Sequence, residues 1–378
     1  MLFAHDVEQI RALVHLCREY QVPVTCRGAG TGTTGATVPV NGGIILSFER
    51  MNQIIEIDPA NRLLVAEPGV TNQRIQETAA EHGFFWAPDP TSSAVCTLGG
   101  NLAYNSAGPR AVKYGTVREN VLGLQLITGQ GDLLTTGVKT SKGVVGYDLT
   151  RLFIGSEGTL GIITQATLKL TPLAEAKRTL QISYNSIHSA AQAVSAIMAQ
   201  PVTPYALEFI DRNAIDMIRD YSSASLPSDA GALLMVELDG SESCLEAGLA
   251  SINRAAKNDG CLEILNARTE QEIKALWDTR KALSPALRKI APKKINEDVV
   301  VPVSRIPDLI EGLEQLSAKY KIAIVNFGHA GNGNIHVNLL TDPDDPQLQI
   351  KADQCLDEVF QLVLKLNGTL SGEHGIGL

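Results

Sequence analysis

Residues 27–35 read RGAGTGTTG, and this stretch decides how the first half of the chain is interpreted. Three of its glycines match the G-x-G-x-x-G pattern of dinucleotide-binding loops, but those loops open directly into a helix. Here the sequence continues through Pro39 into a strand-like run at 43–48, which excludes a Rossmann site for NAD. Small residues after a strand also suit a nest of backbone N–H groups for an anion, headed by Arg27. A plain turn stays open as the alternative, although the density of glycine favours a phosphate cradle.

The composition is that of a folded protein with two domains. The chain has 378 residues, of which 44% are hydrophobic and 19% charged, far from the composition of disordered chains. Glycines become sparse and longer alternations begin near residue 175, so we predict domains at 1–175 and 176–378. The formal charge of −9 would repel the phosphates of nucleic acid, so we do not predict nucleic-acid binding.

Hydrophobic spacing predicts the elements of both halves. A helix begins at the N-cap Asp6 and ends before Pro23. Strands are predicted in the first half at 22–26, 43–48, 53–58, 63–67 and 122–128. In the second half, strands are predicted at 178–184, 206–210 and 232–238, and helices at 187–199, 243–258 and 270–289. Both halves are therefore predicted to be α+β.

Cysteines and apolar runs limit the cofactors and the location. The six cysteines include no C-x-x-C pair, so we predict neither a zinc ribbon nor a cysteine-ligated iron–sulfur cluster. The apolar runs have the length of strands, far short of the ~20 residues that span a bilayer. The N-terminal segment has acidic residues where a signal peptide would be apolar. We expect a cytoplasmic protein without a transmembrane segment.

Three further segments follow the glycine loop: EPGV at 67–70, APDPTSSAVCTLGGNLAYNSAGPRAVKYGTVRENVLGL at 87–124, and GSEGTLGIIT at 155–164. Over about residues 5–175, the four segments together resemble the FAD-binding domain of the vanillyl-alcohol oxidase and p-cresol methylhydroxylase superfamily. The resemblance implies an α+β fold in which a two-subdomain FAD-binding domain precedes an α+β substrate domain with an antiparallel sheet.

The same resemblance implies where FAD binds. The glycine loop would hold the pyrophosphate, the middle segment would line the flavin, and GSEGTLGII would reach the adenine side. The implied FAD residues are Arg27, Gly28, Ala29, Gly30, Thr31, Gly32, Pro88, Asp89, Thr91, Ser92, Gly99, Gly100, Asn101, Asn105, Ser106, Gly108, Glu157, Gly161, Ile162 and Ile163. Some members attach the flavin to a histidine in or after the loop, and residues 27–40 contain none, so we expect noncovalent FAD.

Two short motifs near the end of the chain, GHAGNGNIHVN and GEHGIG, contain three of the seven histidines. His329 and His336 flank a Gly-Asn-Gly turn that can fold the chain back, and His336 shares a strand face with Asn338. With the Glu373 carboxylate, the two imidazoles form a donor set suited to Zn²⁺, Mn²⁺ or Fe²⁺. A purely structural polar cluster stays open as the alternative.

These motifs resemble the C-terminal domain of the FAD-dependent D-2-hydroxy-acid dehydrogenases, a family that includes the glycolate oxidase flavin subunit, D-lactate dehydrogenase and D-2-hydroxyglutarate dehydrogenase. The resemblance implies a divalent-metal site with a histidine base beside it. The segment LWDTRKALSPALRK matches the W-x-x-R region of the family, whose arginine would clamp the substrate carboxylate. The implied metal ligands are His329, His336 and Glu373, and the implied catalytic residues are His374 as base, Arg280 as clamp, Lys294 and Asn338.

The resemblance implies oxidation of a small D-2-hydroxy acid, of the glycolate or D-lactate class, to the 2-oxo acid. The metal would chelate the substrate, and hydride would pass to flavin N5. Electrons would leave through a separate acceptor, which is an iron–sulfur subunit, an electron-transfer flavoprotein or a quinone, and partner subunits would hold the chain at the inner membrane. A noncatalytic FAD-binding subunit and a flavin-free metal-dependent hydrolase are the alternatives. Family members extend beyond both ends of this sequence, so we expect truncation, with the N-terminal strand missing.

Overall fold

The computed structural model describes residues 1–219, 226–290 and 293–377 and divides the chain into two compact units. The first unit contains Met1–Leu173 together with the chain from Glu373 onward, and the second contains Ala174–Gly372. The prediction had assigned the last residues to the second domain. They fold with the first unit because Glu157 accepts hydrogen bonds from their backbone, as described below.

A small parallel sheet and one helix begin the first unit. Asp6 caps helix α1 (Val7–Glu19) as predicted, since its side chain accepts from the Gln9 N–H at 2.8 Å. The strands are β1 (Leu2–Phe3), β2 (Val24–Arg27) and β3 (Ile44–Ser47), in the order β1-β3-β2. The prediction had no strand before α1, but two residues suffice for β1 to pair in parallel with β3. The apolar face of α1 packs on this sheet.

The rest of the first unit is built on an antiparallel sheet. Its strands are β4 (Ile54–Asp58), β5 (Leu63–Ala66), β7 (Val121–Thr128), β8 (Leu133–Gly137) and β9 (Gly161–Lys169), in the order β4-β5-β9-β7-β8. A short pair joins β6 (Phe84–Phe85) to β10 (Thr171–Pro172). The helices are α2 (Asn72–Ala80), α3 (Leu98–Tyr104), α4 (Ala111–Tyr114) and α5 (Leu149–Phe153). This sheet has its own core, so the first unit has two subdomains as expected.

The second unit is a seven-stranded sheet in which every pair of neighbours is antiparallel. Its strands are β11 (Ala176–Tyr184), β12 (Ala206–Asp211), β13 (Ala232–Gly240), β14 (Cys261–Ala267), β15 (Lys293–Val300), β16 (Ile324–Gly328) and β17 (Asn334–Thr341). The order is β14-β11-β13-β12-β16-β17-β15. The helices are α6 (Ile187–Ala199), α7 (Arg212–Ile218), α8 (Glu242–Ala256), α9 (Glu270–Ile290), α10 (Ile306–Tyr320) and α11 (Pro346–Lys365).

The two faces of this sheet have different neighbours. Leu207 and Phe209 on β12 are buried in a large core with apolar residues of α6, α8, α10 and α11. Successive side chains of a strand alternate between faces, so Glu208 points to the opposite side, where α7 and α9 pack. This second face carries the polar residues described below.

The helices of the described ranges fall short of a membrane span. None of them combines the length with the apolar character that crossing a bilayer needs.

The predicted helices at 187–199, 243–258 and 270–289 are present as α6, α8 and α9, with ends that differ by at most a few residues.

Candidate active site

The glycine loop leaves β2 with a row of unpaired backbone donors. The N–H groups of Ala29–Thr34 form no hydrogen bond with any residue that the structure describes. Gly30 has φ +70°, and a Cβ added there would lie 2.4 Å from Arg27 Nη2. The guanidinium is therefore folded over the loop, which combines N–H donors with a positive charge. This arrangement suits a phosphate group.

A cavity of about 210 Å³ lies against this loop within the first unit. Helix α3 lines its other side, and Thr97 caps that helix by accepting from the Gly100 N–H at 3.4 Å. Asn101 also lines the cavity and is 2% exposed, yet its Nδ2 has no hydrogen-bond partner among the described residues. Buried donors are normally paired, so an acceptor on a bound cofactor fits this position.

The wall of this cavity has no room for larger side chains at its glycines. A Cβ added to Gly28 would lie 2.2 Å from Thr97 Oγ1, and one added to Gly32 would lie 3.0 Å from the Tyr104 hydroxyl. A second cavity of about 70 Å³ shares Gly28, Thr97, Gly100 and Tyr104 with the first. The two cavities therefore adjoin along one wall.

Most of the residues assigned to FAD line one of these cavities. The first cavity is lined by Gly28, Ala29, Gly30, Thr31, Gly32, Thr91, Ser92, Gly100, Asn101 and Ser106, and the second adds Arg27, Gly99, Glu157, Gly161, Ile162 and Ile163.

Four assigned residues, all in described segments, line neither cavity: Pro88, Asp89, Asn105 and Gly108. The carboxylate of Asp89 pairs with Arg110 Nε at 2.9 Å. Asn105 ends α3 with φ +55°, and its Oδ1 accepts from the Arg118 N–H at 3.1 Å. The contacts of Asp89 and Asn105 are therefore with other residues of the first unit.

Glu373 and His374 line the same cavity as the glycine loop. The segment that follows is held by Glu157, which accepts from the N–H groups of Ile376 and Gly377, both at 2.7 Å. The chain bends at 372–374, so these adjacent residues both line one cavity.

The two histidines of the GHAGNGNIHVN motif face each other across a hairpin of the second unit. Strands β16 and β17 pair as the turn predicted, and Gly333 has φ +75° with no room for a Cβ beside the Val301 carbonyl. The ring centroids of His329 and His336 are 5.3 Å apart, and each residue is 8% exposed.

The predicted catalytic residues of this unit gather on the same face. Asn338 is fully buried, and its Oδ1 accepts from Lys294 Nζ at 3.2 Å. Arg280, on α9, donates from Nε to Glu208 at 2.6 Å. Its guanidinium carbon lies 5.0 Å from the centroid of the Phe327 ring. Together with the two histidines, these residues form a polar group on the side of the sheet that α9 covers.

A buried carboxylate stands at Nδ1 of each imidazole. Glu208 Oε1 lies 2.6 Å from His329 Nδ1, and Asp298 Oδ1 lies 3.5 Å from His336 Nδ1. Burial alone would raise the pKa of Glu208, but its interactions with His329 and Arg280 outweigh burial and hold the pKa below its usual range. With Nδ1 facing a carboxylate, Nε2 is the nitrogen that suits a metal, so the donor set fits a divalent transition-metal ion.

Glu208 and Asp298 were missed by the sequence analysis. Glu208 is an acidic residue among apolar neighbours in the strand sequence ALEFI, whereas Asp298 follows two polar residues in NEDVV. An acidic residue inside an apolar strand run is the signal that could have found Glu208, because such residues are rarely buried without partners, and Asp298 has no comparable signal.

Comparison with known proteins gives two family matches. Residues 173–378 match the model described as FAD linked oxidases, C-terminal domain, and residues 1–137 match an FAD binding domain. The chain is 41% identical over 372 residues to the glycolate oxidase subunit GlcD of Bacillus subtilis, covering 98% of this chain and 79% of that protein. It is 33% identical over 382 residues to a D-lactate dehydrogenase of Anaerostipes hadrus, covering 99% and 80%.

Solved structures support the fold. The structure of p-cresol methylhydroxylase with substrate bound superposes with a TM-score of 0.79 at 18% identity, covering 98% of this chain and 80% of that one. An alkyldihydroxyacetonephosphate synthase gives 0.75 at 19% identity, covering 98% and 71%. At these identities the likeness concerns the fold alone.

Proposed function

Since this chain belongs to the FAD-linked oxidases and is an oxidoreductase of the glycolate oxidase and D-lactate dehydrogenase type, we propose that it oxidises a small D-2-hydroxy acid to the 2-oxo acid. We favour a substrate of the glycolate or D-lactate class. The observation that carries the proposal is that His374, the candidate base, lines the same cavity as the glycine loop. This position supports the proposal that His374 accepts a proton beside the cofactor.

FAD is proposed to bind noncovalently in the two adjoining cavities. The N–H groups of Ala29–Thr34, with Arg27 beside them, would hold the pyrophosphate, and Asn101 Nδ2 would donate to the cofactor. When bound, FAD supplies the acceptor for the hydride, which carries the two electrons of the oxidation. Residues 27–40 contain no histidine to which a flavin could be attached.

The proposed metal ligands are His329, His336 and Glu373, for Zn²⁺, Mn²⁺ or Fe²⁺. Glu373 directly follows Gly372, whose N–H donates to Asp298 Oδ2 at 2.9 Å. Asp298 also lies 3.5 Å from His336 Nδ1. The residue before Glu373 is therefore bonded to the carboxylate beside His336, which supports including Glu373 among the ligands. A bound divalent cation supplies Lewis acidity that makes the substrate hydroxyl a stronger acid.

The remaining roles fall to side chains of this chain. Arg280 would bind the substrate carboxylate, because a guanidinium can donate two parallel hydrogen bonds to it. His374 would take the proton of the hydroxyl. The hydrogen-bonded pair of Lys294 and Asn338 would complete the polar wall around the substrate.

Reduced flavin needs an electron acceptor, which we propose to be a separate partner. The six cysteines are unpaired, and none forms a C-x-x-C motif that would hold an iron–sulfur cluster. Three similar proteins are named as glycolate oxidase subunits, which favours a partner subunit. An iron–sulfur subunit, an electron-transfer flavoprotein and a quinone are the acceptors to test.

The proposal is tested by anaerobic mixing of the FAD-loaded, Zn²⁺-loaded protein with glycolate, D-lactate, L-lactate, D-2-hydroxyglutarate and D-malate. We expect at least one D-2-hydroxy acid or glycolate to bleach the flavin absorbance, and L-lactate to be much slower than D-lactate. A flavin that stays oxidised with every acid while dithionite still reduces it would contradict the proposed function.

A further inference from the structure

Glu208 is a buried carboxylate that contacts two residues with different proposed tasks. It lies on β12 and is fully buried. Its Oε1 lies 2.6 Å from His329 Nδ1, and its Oε2 accepts from Arg280 Nε at 2.6 Å. Each carboxylate oxygen is therefore committed to one of the two side chains.

We propose that Glu208 is a positioning residue that orients the metal ligand His329 and the substrate-binding Arg280 together. The inference rests on the proposed function, because the roles of the two partners are taken from it. A single rigid carboxylate between them would make metal binding and substrate binding depend on the same side chain.

The first half of the argument concerns the imidazole. A carboxylate at Nδ1 keeps the proton on that nitrogen, turns Nε2 toward the metal and makes it a stronger donor. His329 is 8% exposed, so protein contacts rather than water set the orientation of its ring. Loss of a carboxylate that is hydrogen-bonded to a metal-binding histidine usually lowers the metal affinity about 10–100-fold.

The second half concerns the guanidinium. The Arg280 side chain is 12% exposed, and the bond to Glu208 uses Nε. A carboxylate bonded to Nε fixes the plane of the guanidinium group, so its terminal nitrogens can donate hydrogen bonds to a substrate carboxylate. The negative charge of Glu208 also compensates a guanidinium that is largely out of water.

Metal affinity is the first test. The full chain is stripped with a chelator, and binding of Zn²⁺ alone is measured by competition with a fluorescent zinc indicator. We expect Glu208→Gln to weaken Zn²⁺ by about 10–100-fold, because a neutral amide replaces the carboxylate behind His329. The hydrogen bond between the amide and the ring does not restore the lost charge.

Glu237→Gln is the matched control. Glu237 lies on the neighbouring strand β13, is 3% exposed, and accepts from Trp277 Nε1 on α9 at 2.7 Å. It is thus a buried carboxylate bonded to the same helix, but neither His329 nor Arg280 is among its contacts. We expect the Zn²⁺ affinity of this variant to equal that of the wild type.

The KM of the 2-hydroxy acid at saturating Zn²⁺ is the second test. We expect Glu208→Gln to raise it by about tenfold, the equivalent of one charge-assisted contact, because Arg280 loses its fixed orientation. The control variant should keep the KM of the wild type. If the rise in KM came only from removing a buried charge beside α9, Glu237→Gln would show it as well.

The outcomes separate this inference from the proposed function. If the wild type binds Zn²⁺ and Glu208→Gln binds it equally tightly, the positioning role is overturned and the function stands. If the wild type binds no Zn²⁺, the metal assignment fails and the inference with it. Should Glu208→Gln fail to fold, the double variant Glu208→Gln/Arg280→Gln removes the uncompensated guanidinium. Weakened Zn²⁺ binding there supports the role of Glu208, and wild-type affinity refutes it.

Discussion

Arg27 is the cation that distinguishes the glycine loop from an ordinary turn. Its guanidinium is folded over Gly30, where the N–H groups of the loop have no protein partner among the described residues. We predict that Arg27→Glu lowers the FAD content by at least about tenfold, because a negative charge then stands beside the pyrophosphate. Flavin absorbance per protein in the purified variant measures this. Arg18→Glu, at an exposed position of α1, is the control and should keep its FAD.

Glu373 and His374 are adjacent, but different tasks are assigned to them. Glu373→Gln should lower the metal content together with the activity, because an amide is a poorer ligand for a divalent cation than a carboxylate. His374→Ala should retain both metal and FAD while flavin reduction slows by about 10²–10⁴-fold, the usual effect of losing a general base. Metal analysis and anaerobic stopped-flow reduction of the two variants give the answer. Metal lost from His374→Ala but kept in Glu373→Gln would mean that the two roles are reversed.

At the scale of elements, the segment that carries these two residues depends on Glu157. This residue has φ +52° and accepts two backbone hydrogen bonds, from Ile376 and Gly377. We predict that Glu157→Gln speeds amide exchange in the C-terminal peptide by about tenfold, because the amide keeps one acceptor oxygen and loses the charge. Hydrogen exchange followed by mass spectrometry measures it. In Glu67→Gln, where the carboxylate accepts from the Gln53 N–H elsewhere in the first unit, the same peptide should exchange at the wild-type rate.

The hairpin of β16 and β17 could be predicted because its signals are local. The Gly-Asn-Gly turn and the alternation after it lie within eleven consecutive residues, so His329 and His336 were placed correctly relative to each other. Glu208 is 121 positions from His329 and reaches it because β12 pairs with β16. No local pattern specifies that strand order, which is set by packing of the whole sheet. Partners from distant strands were therefore beyond what the sequence could predict.

At the scale of the whole molecule, one buried carboxyl group links folding to pH. Asp211 is 2% exposed and lies where β12 meets α7. Its oxygens accept from the N–H groups of Ala214 and Asn326 at 2.8 and 2.6 Å. Burial raises the pKa of Asp211 to about 7, which outweighs these hydrogen bonds, and nearby Glu314 adds to the rise. The folded protein therefore holds a proton there that the unfolded chain has already released above about pH 4.

The sign of the effect follows from this difference in bound protons. Between about pH 4 and pH 7 the native state binds the extra proton, so the free energy of unfolding falls as the pH rises, by at most about 1.4 kcal/mol per pH unit. Asp211→Asn removes this titration while the amide oxygen can still cap α7. The free energies of unfolding of both proteins are measured in urea from pH 4.5 to 8. We predict that the value for the variant minus the value for the wild type increases as the pH rises. The other titrating groups are common to both proteins and cancel in the difference. A difference that is constant with pH would show that Asp211 is ionised throughout, and that its hydrogen bonds to Ala214 and Asn326 outweigh its burial.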